Sequence, residues 1–135
     1  MSFLVDVNVL SEAIKPVPSE RVVSWLRTHE NNLVLDPIVL GEIRLGILLL
    51  PKGQRRRALE VWFSGRVGSF VCIPWDAETA MRWAALLADL RKRGLSMPLK
   101  DSMIAATALT HDLTVATRNI RDFLLAKVKV VNPFD

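Results

Sequence analysis

Five short apolar runs, each followed by a longer stretch of helical periodicity or by the chain's last residues, constrain this sequence most. They are Phe3–Val5, Leu33–Leu35, Phe70–Ile73, Thr114–Ala116 and Val128–Val131. Each contains β-branched or aromatic residues and is bounded by polar residues or proline, as short buried strands are. Helices are expected between them. One begins after Asn8, and a second covers Ser19–Thr28 with Ser19 as N-cap. A third has Asp36 as N-cap, Pro37 at its first position and Pro51 just past its end. Others cover Gln54–Val67, Asp76–Lys92 with Gly94 as a stop, Lys100–Thr110 and a short segment after Asn119. Strands alternating with helices predict βαβ units, hence an α/β fold with a mainly parallel sheet of about five strands. No linker, repeat or low-complexity segment divides the 135 residues, so a single domain, 1–135, is expected.

Bulk properties narrow the function classes only a little. The net charge of +4 leans weakly toward polyanionic partners. Cys72 is the only cysteine, which excludes an internal disulfide; its apolar run predicts a buried, inert thiol. The first residues lack the basic start of a secretory leader, and Asp6 interrupts their apolar stretch. Ile47–Leu50 is too short to span a bilayer. A cytoplasmic protein without membrane contact is the expectation. His29 and His111 sit in polar contexts and read as surface residues.

The informative residues are carboxylates in unusual places. Asp6 follows the first expected strand directly. In open parallel sheets that rim is where ligands bind, although Asp6 or Asn8 also suits a helix cap. Glu42 is flanked at helical spacing by Ile38, Val39, Leu45 and Gly46, which places it on the apolar stripe. A carboxylate there needs a cation, a donor or a metal, and Arg44 at i+2 reaches it poorly. Asp101 opens a helix whose next positions on that face are Ile104, Ala105 and Ala108, either as its cap or in its first turn. Thr117-Arg118-Asn119-Ile120-Arg121-Asp122 follows the fourth strand; Asn119 and Asp122 can point inward, or Asn119 can cap the next helix. Hard oxygen donors without a His or Cys cluster suit Mg²⁺ or Mn²⁺.

Taken together, Leu4–Glu12, Gly41-Glu42-Ile43, Asp101–Ala108, Thr117–Phe123 and Val131-Asn132-Pro133-Phe134 resemble the PIN-domain family, and most of all its VapC-type toxins of type II toxin–antitoxin pairs. The resemblance spans the chain, with the blocks in the family's order. It implies a three-layer fold with an acidic pocket at the sheet's rim. It also implies metal-dependent endoribonuclease activity that leaves 5′-phosphate and 3′-hydroxyl ends. Asp6, Glu42 and Asp101 match the acidic core. Asp122 is assigned as the fourth acid and metal ligand, with Asn8, Thr117, Asn119, Arg118 and Arg121 around it or on the substrate. Val7 departs from the family, where Thr or Ser is usual. An RNA substrate, a homodimer and a cognate antitoxin protein are implied as partners.

Lys52, Arg55, Arg56 and Arg57, and separately Arg91, Lys92 and Arg93, form basic clusters that are either RNA contacts or solvated helix faces. Trp62, Trp75 and Trp83 read as core or interface residues rather than base-stacking platforms. The surplus of aliphatic residues in Ile47–Leu50 points to a partner subunit. Three rivals remain. A haloacid-dehalogenase-like phosphatase needs a second Asp where this chain has Asn8. The others are a catalytically idle PIN-fold RNA-binding or scaffold module, and a PIN nuclease of RNA processing.

Overall fold

The computed structural model describes residues 1–135. In chain order the elements are β1 (Phe3–Val5), α1 (Val7–Leu10), α2 (Glu20–Thr28), β2 (Leu33–Leu35), α3 (Pro37–Leu48), α4 (Gln54–Gly65), β3 (Val71–Cys72), α5 (Ala77–Lys92), α6 (Leu99–His111), β4 (Thr114–Ala116), α7 (Ile120–Leu125) and β5 (Lys129–Val131). Short 3₁₀ turns at Ser11–Ile14, Glu30–Asn32 and Val67–Ser69 join some of them. The five strands form one sheet in the order β3-β2-β1-β4-β5, and every neighbouring pair is parallel.

Successive strand residues point to opposite faces of a sheet. Every residue of β1 and β4 is buried, so both faces of the sheet are covered and the fold has three layers. Leu4, Val5 and Val115 fill the two sides, with Val9, Val39, Ile104 and Phe123 packed over them. The strand order carries the consequence for function. The chain steps from β1 outward through β2 to β3, then returns to place β4 on the other side of β1. Crossovers leave β1 and β4 in opposite directions, so a crevice opens between their carboxyl ends. Asp6 and Thr117 follow those two ends directly.

Several boundaries differ from the sequence expectation. β3 keeps only Val71 and Cys72, because Phe70 closes the preceding 3₁₀ turn. It is an edge strand, so Cys72 is half-buried rather than enclosed; burial still pushes its thiol up, away from thiolate chemistry. α4 ends at Gly65, and Val67 belongs to a separate turn. His29 does not sit free on the surface: its ring lies 4.9 Å from Phe3 and 4.6 Å from Trp25. Trp75 and Trp83 are half-buried and pack edge to face beside the main core rather than within it. No helix is long and apolar enough to cross a membrane.

Asp36 caps α3 as expected, accepting the Ile38 N–H at 2.8 Å. Its other oxygen accepts the Thr107 hydroxyl from α6, and both residues are fully buried. That bond ties the helix carrying Glu42 to the helix carrying Asp101. Burial pushes the Asp36 carboxyl above its ordinary pKa, and the two donors hold it in place. Thr107→Val leaves a buried carboxylate oxygen without its donor and is expected to cost about 2 kcal/mol. Thr107→Ser, which keeps the hydroxyl, is expected to cost less than half of that. Urea midpoints of the two variants check this, and equal losses would contradict the role of the hydroxyl.

Candidate active site

The site grows from two turns. Asp6 leaves β1 in extended conformation and caps α1, its Oδ1 accepting the Val7 N–H at 2.8 Å. Its Oδ2 accepts the Thr117 hydroxyl at 2.7 Å and an Asn8 amide N–H at 3.3 Å. Thr117 is fully buried, and its Oγ1 in turn accepts the Asn119 backbone N–H at 2.9 Å. The Arg118 backbone N–H donates to Asn8 Oδ1 at 3.1 Å. The turn after β1 and the turn after β4 are therefore laced together by side chains. Asp6 is both cap and cleft residue; the two roles coexist.

α6 supplies Asp101. Pro98 marks the boundary of this helix, so Asp101 stands in the first turn and is not its cap. The turn is braced from α5: Trp83 Nε1–H donates to Ser102 Oγ at 3.0 Å, and that hydroxyl donates to Leu99 O at 2.6 Å. Asn119 occupies the position before α7, but its side chain caps nothing. Its amide nitrogen donates instead to Asp101 Oδ2 at 2.7 Å and to Asp122 Oδ2 at 2.8 Å. One neutral amide thus separates two carboxylates that would otherwise face each other.

Glu42 comes from α3, and here the sequence expectation needs correction. The buried row of α3 is Val39, Ile43 and Ile47, and Leu45 is 53 % exposed. Glu42 lies beside that row rather than in it, with 28 % of its side chain exposed. Arg44 points elsewhere, paired with Glu60 at 2.8 Å. The cation near Glu42 is Lys100, at 3.8 Å, a neighbour the sequence did not single out.

Asp6, Asn8, Glu42, Lys100, Asp101 and Asn119 line one open cleft of about 560 Å³. Asp122 stands behind Asn119, outside the lining. Arg118 is exposed at the rim with its guanidinium over the Phe134 ring, and Arg121 is exposed on α7 without a partner in the cleft. The basic clusters are partly committed elsewhere: Arg55 donates to Ile14 O, Arg56 to Leu50 O, and Arg93 pairs with Asp89. Trp75 and Trp83 are tied to α6 through Met103 and Ser102 and take no place in the cleft.

The electrostatics are those of acids held together. Burial pushes the Asp101 carboxyl from an ordinary 3.8 to about 6, helped by the charges of Asp6, Asp122 and Glu42; the Asn119 amide opposes the shift. No three acidic side chains stand close enough to form a closed ligand cage. An open cleft edged by separate carboxylates nevertheless suits a hard divalent cation that keeps part of its water shell, as Mg²⁺ does. The donor set, all oxygen with no thiol or imidazole, points the same way.

A family model described as the PIN domain matches residues 3–129, and the chain belongs to that family. Its relatives are VapC-like toxins. It is 36% identical to toxin FitB of Neisseria gonorrhoeae over 97% of each chain. It is 31% identical to the VapC ribonuclease Y4jK of Sinorhizobium fredii, over 98% of this chain and 97% of that one. The crystal structure of FitAcB from Neisseria gonorrhoeae superposes with a TM-score of 0.88 at 35% identity, covering 98% of both chains. DNA-bound VapBC from Salmonella typhimurium shares the fold, with a TM-score of 0.82 at 20% identity and 98% of both chains covered.

The raised pKa of Asp101 fixes a pH dependence. Between about 4 and about 6 the folded chain holds this proton more tightly than the unfolded chain does. Stability therefore falls as pH rises through that window and stays lower above it. Asp101→Asn removes the repulsion and keeps a partner for Asn119. It is expected to raise the metal-free Tm at pH 7.5 by roughly 3 °C, a modest gain because solvent screens the site. The variant should also flatten the slope between pH 4 and pH 6. Thermal melts in EDTA across that range check both, and an unchanged slope would contradict the assignment.

Proposed function

We propose that this chain is the toxin of a type II toxin–antitoxin pair, a metal-dependent endoribonuclease that hydrolyses RNA phosphodiester bonds. The observation that carries the reading is the cleft between β1 and β4, where carboxylates from three separate segments are held in mutual repulsion. Like charges gathered at that cost ask for a counter-ion. The ribonuclease names of the relatives support the same activity.

Asp6, Glu42 and Asp101 would hold Mg²⁺ or Mn²⁺, with Asp122 supporting Asp101 through Asn119. When bound, the ion admits an anionic phosphodiester to an acidic cleft, lowers the pKa of the attacking water and offsets charge on the leaving oxygen. The protein's own groups prepare the place. Thr117 and the Val7 N–H fix both oxygens of Asp6. Asn119 fixes one oxygen of Asp101 and leaves the other free. Asp101, poised near 6, is fully ionised only above that pH, so metal affinity rises as pH increases through it. Lys100 at the cleft wall adds an attraction for incoming phosphate.

Two partners belong to this reading. Leu45 and Leu48 on α3 and Leu49 just past its end leave an exposed apolar strip, which suits a homodimer. The solved FitAB and VapBC complexes support a cognate antitoxin.

Incubation of labelled tRNA and rRNA fragments with the purified chain tests the function. Cleavage is expected in Mg²⁺ or Mn²⁺, and it should drop to background in EDTA and in Asp101→Asn. Cleavage that survives both would overturn the site. Its absence from a folded, metal-binding chain would favour the idle RNA-binding module.

A further inference from the structure

The segment after β5 forms a tight turn. Asn132 Oδ1 accepts the Phe134 N–H at 3.0 Å, and the Asn132 carbonyl accepts the Asp135 N–H at 3.2 Å. Pro133 between them is buried and fixes the backbone entering Phe134. The turn sets the Phe134 ring against Arg118, whose guanidinium carbon lies 3.7 Å from the ring centroid. That is close stacking, the geometry in which a guanidinium gains most from a π face.

Arg118 is held at both ends. Its backbone N–H is bonded to Asn8, a wall of the cleft, and its guanidinium carbon sits over the Phe134 ring. Some arginines spend their charge on acids of the same chain: Arg44 on Glu60, Arg66 on Glu30, Arg93 on Asp89. The Arg118 guanidinium enters no ion pair and no hydrogen bond. Glu12 is near enough to feel its charge but is already engaged by Lys15 at 2.8 Å and by the Ser19 N–H at 3.1 Å. A contact with a π face uses none of the guanidinium N–H donors, so the fork that grips two phosphate oxygens stays open. An exposed arginine normally loses rotamer freedom on binding; this one has already lost it.

We propose that Phe134 is a positioning residue that pre-orders Arg118 as a phosphate-gripping hand at the rim of the cleft, taking the RNA backbone phosphate beside the one that enters. The proposal rests on the RNA-binding part of the reading above and assigns a function to the Asn132-Pro133-Phe134 turn.

A double-mutant cycle tests it, with fluorescein-labelled total tRNA as probe and Asp101→Asn as the uncleaving background. Arg118→Ala is expected to weaken tRNA binding about tenfold and to reduce the salt slope of log Kd by roughly 0.7 to 0.9. Phe134→Ala is expected to weaken binding roughly three- to fivefold. The double variant should bind no worse than Arg118→Ala alone, because Phe134 acts only through Arg118. Phe134→Trp should restore binding. Phe134→Leu, which keeps an apolar contact but no π face, should bind as weakly as Phe134→Ala while retaining the parent urea midpoint. Losses that add in the double variant, or full binding by Phe134→Leu, would overturn the proposal. A parent chain that binds no tRNA would overturn it together with the RNA reading. An intact coupling in a chain that never cleaves RNA would leave the proposal standing and remove only the nuclease.

Discussion

The hydrogen bond from Thr117 to Asp6 is the contact on which the cleft depends. It joins the residue after β1 to the residue after β4, two points 111 positions apart in the chain. Both groups are buried, so neither can exchange the bond for water at no cost. The same hydroxyl anchors the Asn119 backbone, and the Asn119 amide then reaches Asp101 and Asp122. A single threonine thus relays position from the centre of the sheet to α6 and α7. The parallel pairing of Val5 with Ala116 sets the two turns at one height, which is what lets the relay close.

Around that relay the protein accepts unfavourable electrostatics and confines them. Asp101 carries the burden of its neighbours' charge, and a neutral amide, not a cation, stands between it and Asp122. An arginine in the place of Asn119 would neutralise the cleft; an aspartate would add to the repulsion. Asparagine orders the carboxylates without satisfying their demand for positive charge. The nearby fixed cations lie at the edge: Lys100 against Glu42, and Arg118 laid over Phe134.

Much of the fold was legible from the sequence, because short apolar runs and helix caps are local signals. Ser19 and Asp36 cap the helices they were expected to cap, and Asp76, read as the first residue of α5, turns out to be its cap. Gly94 ends α5 with φ of 70°, as its position suggested. What local patterns could not resolve were side chains whose partners lie far along the chain. Asn119 reads as a cap until Asp101 arrives to take its amide. Asp36 reads as a cap and is one, yet nothing nearby announces Thr107. Glu42 was placed on the apolar stripe because α3 is apolar almost all round; Leu45, Leu48 and Leu49 face outward, so the pattern could not say which side met the core. The acidic residues themselves were legible as polar groups at strand ends. Their convergence follows from strand order, which is a property of the whole sheet.

That order has a consequence for how the site assembles. β1 lies at the centre of the sheet, and its two neighbours are far apart in the chain, β2 at Leu33–Leu35 and β4 at Thr114–Ala116. A chain still on the ribosome and short of residue 114 can pair β1 with β2 alone, leaving Asp6 without Thr117 and Asp101 without Asn119. The cleft is complete only once residues 114–119 have joined the sheet. The topology itself therefore makes the site a product of the whole sheet, because no fragment short of β4 brings Asp6 and Asp101 to their partners.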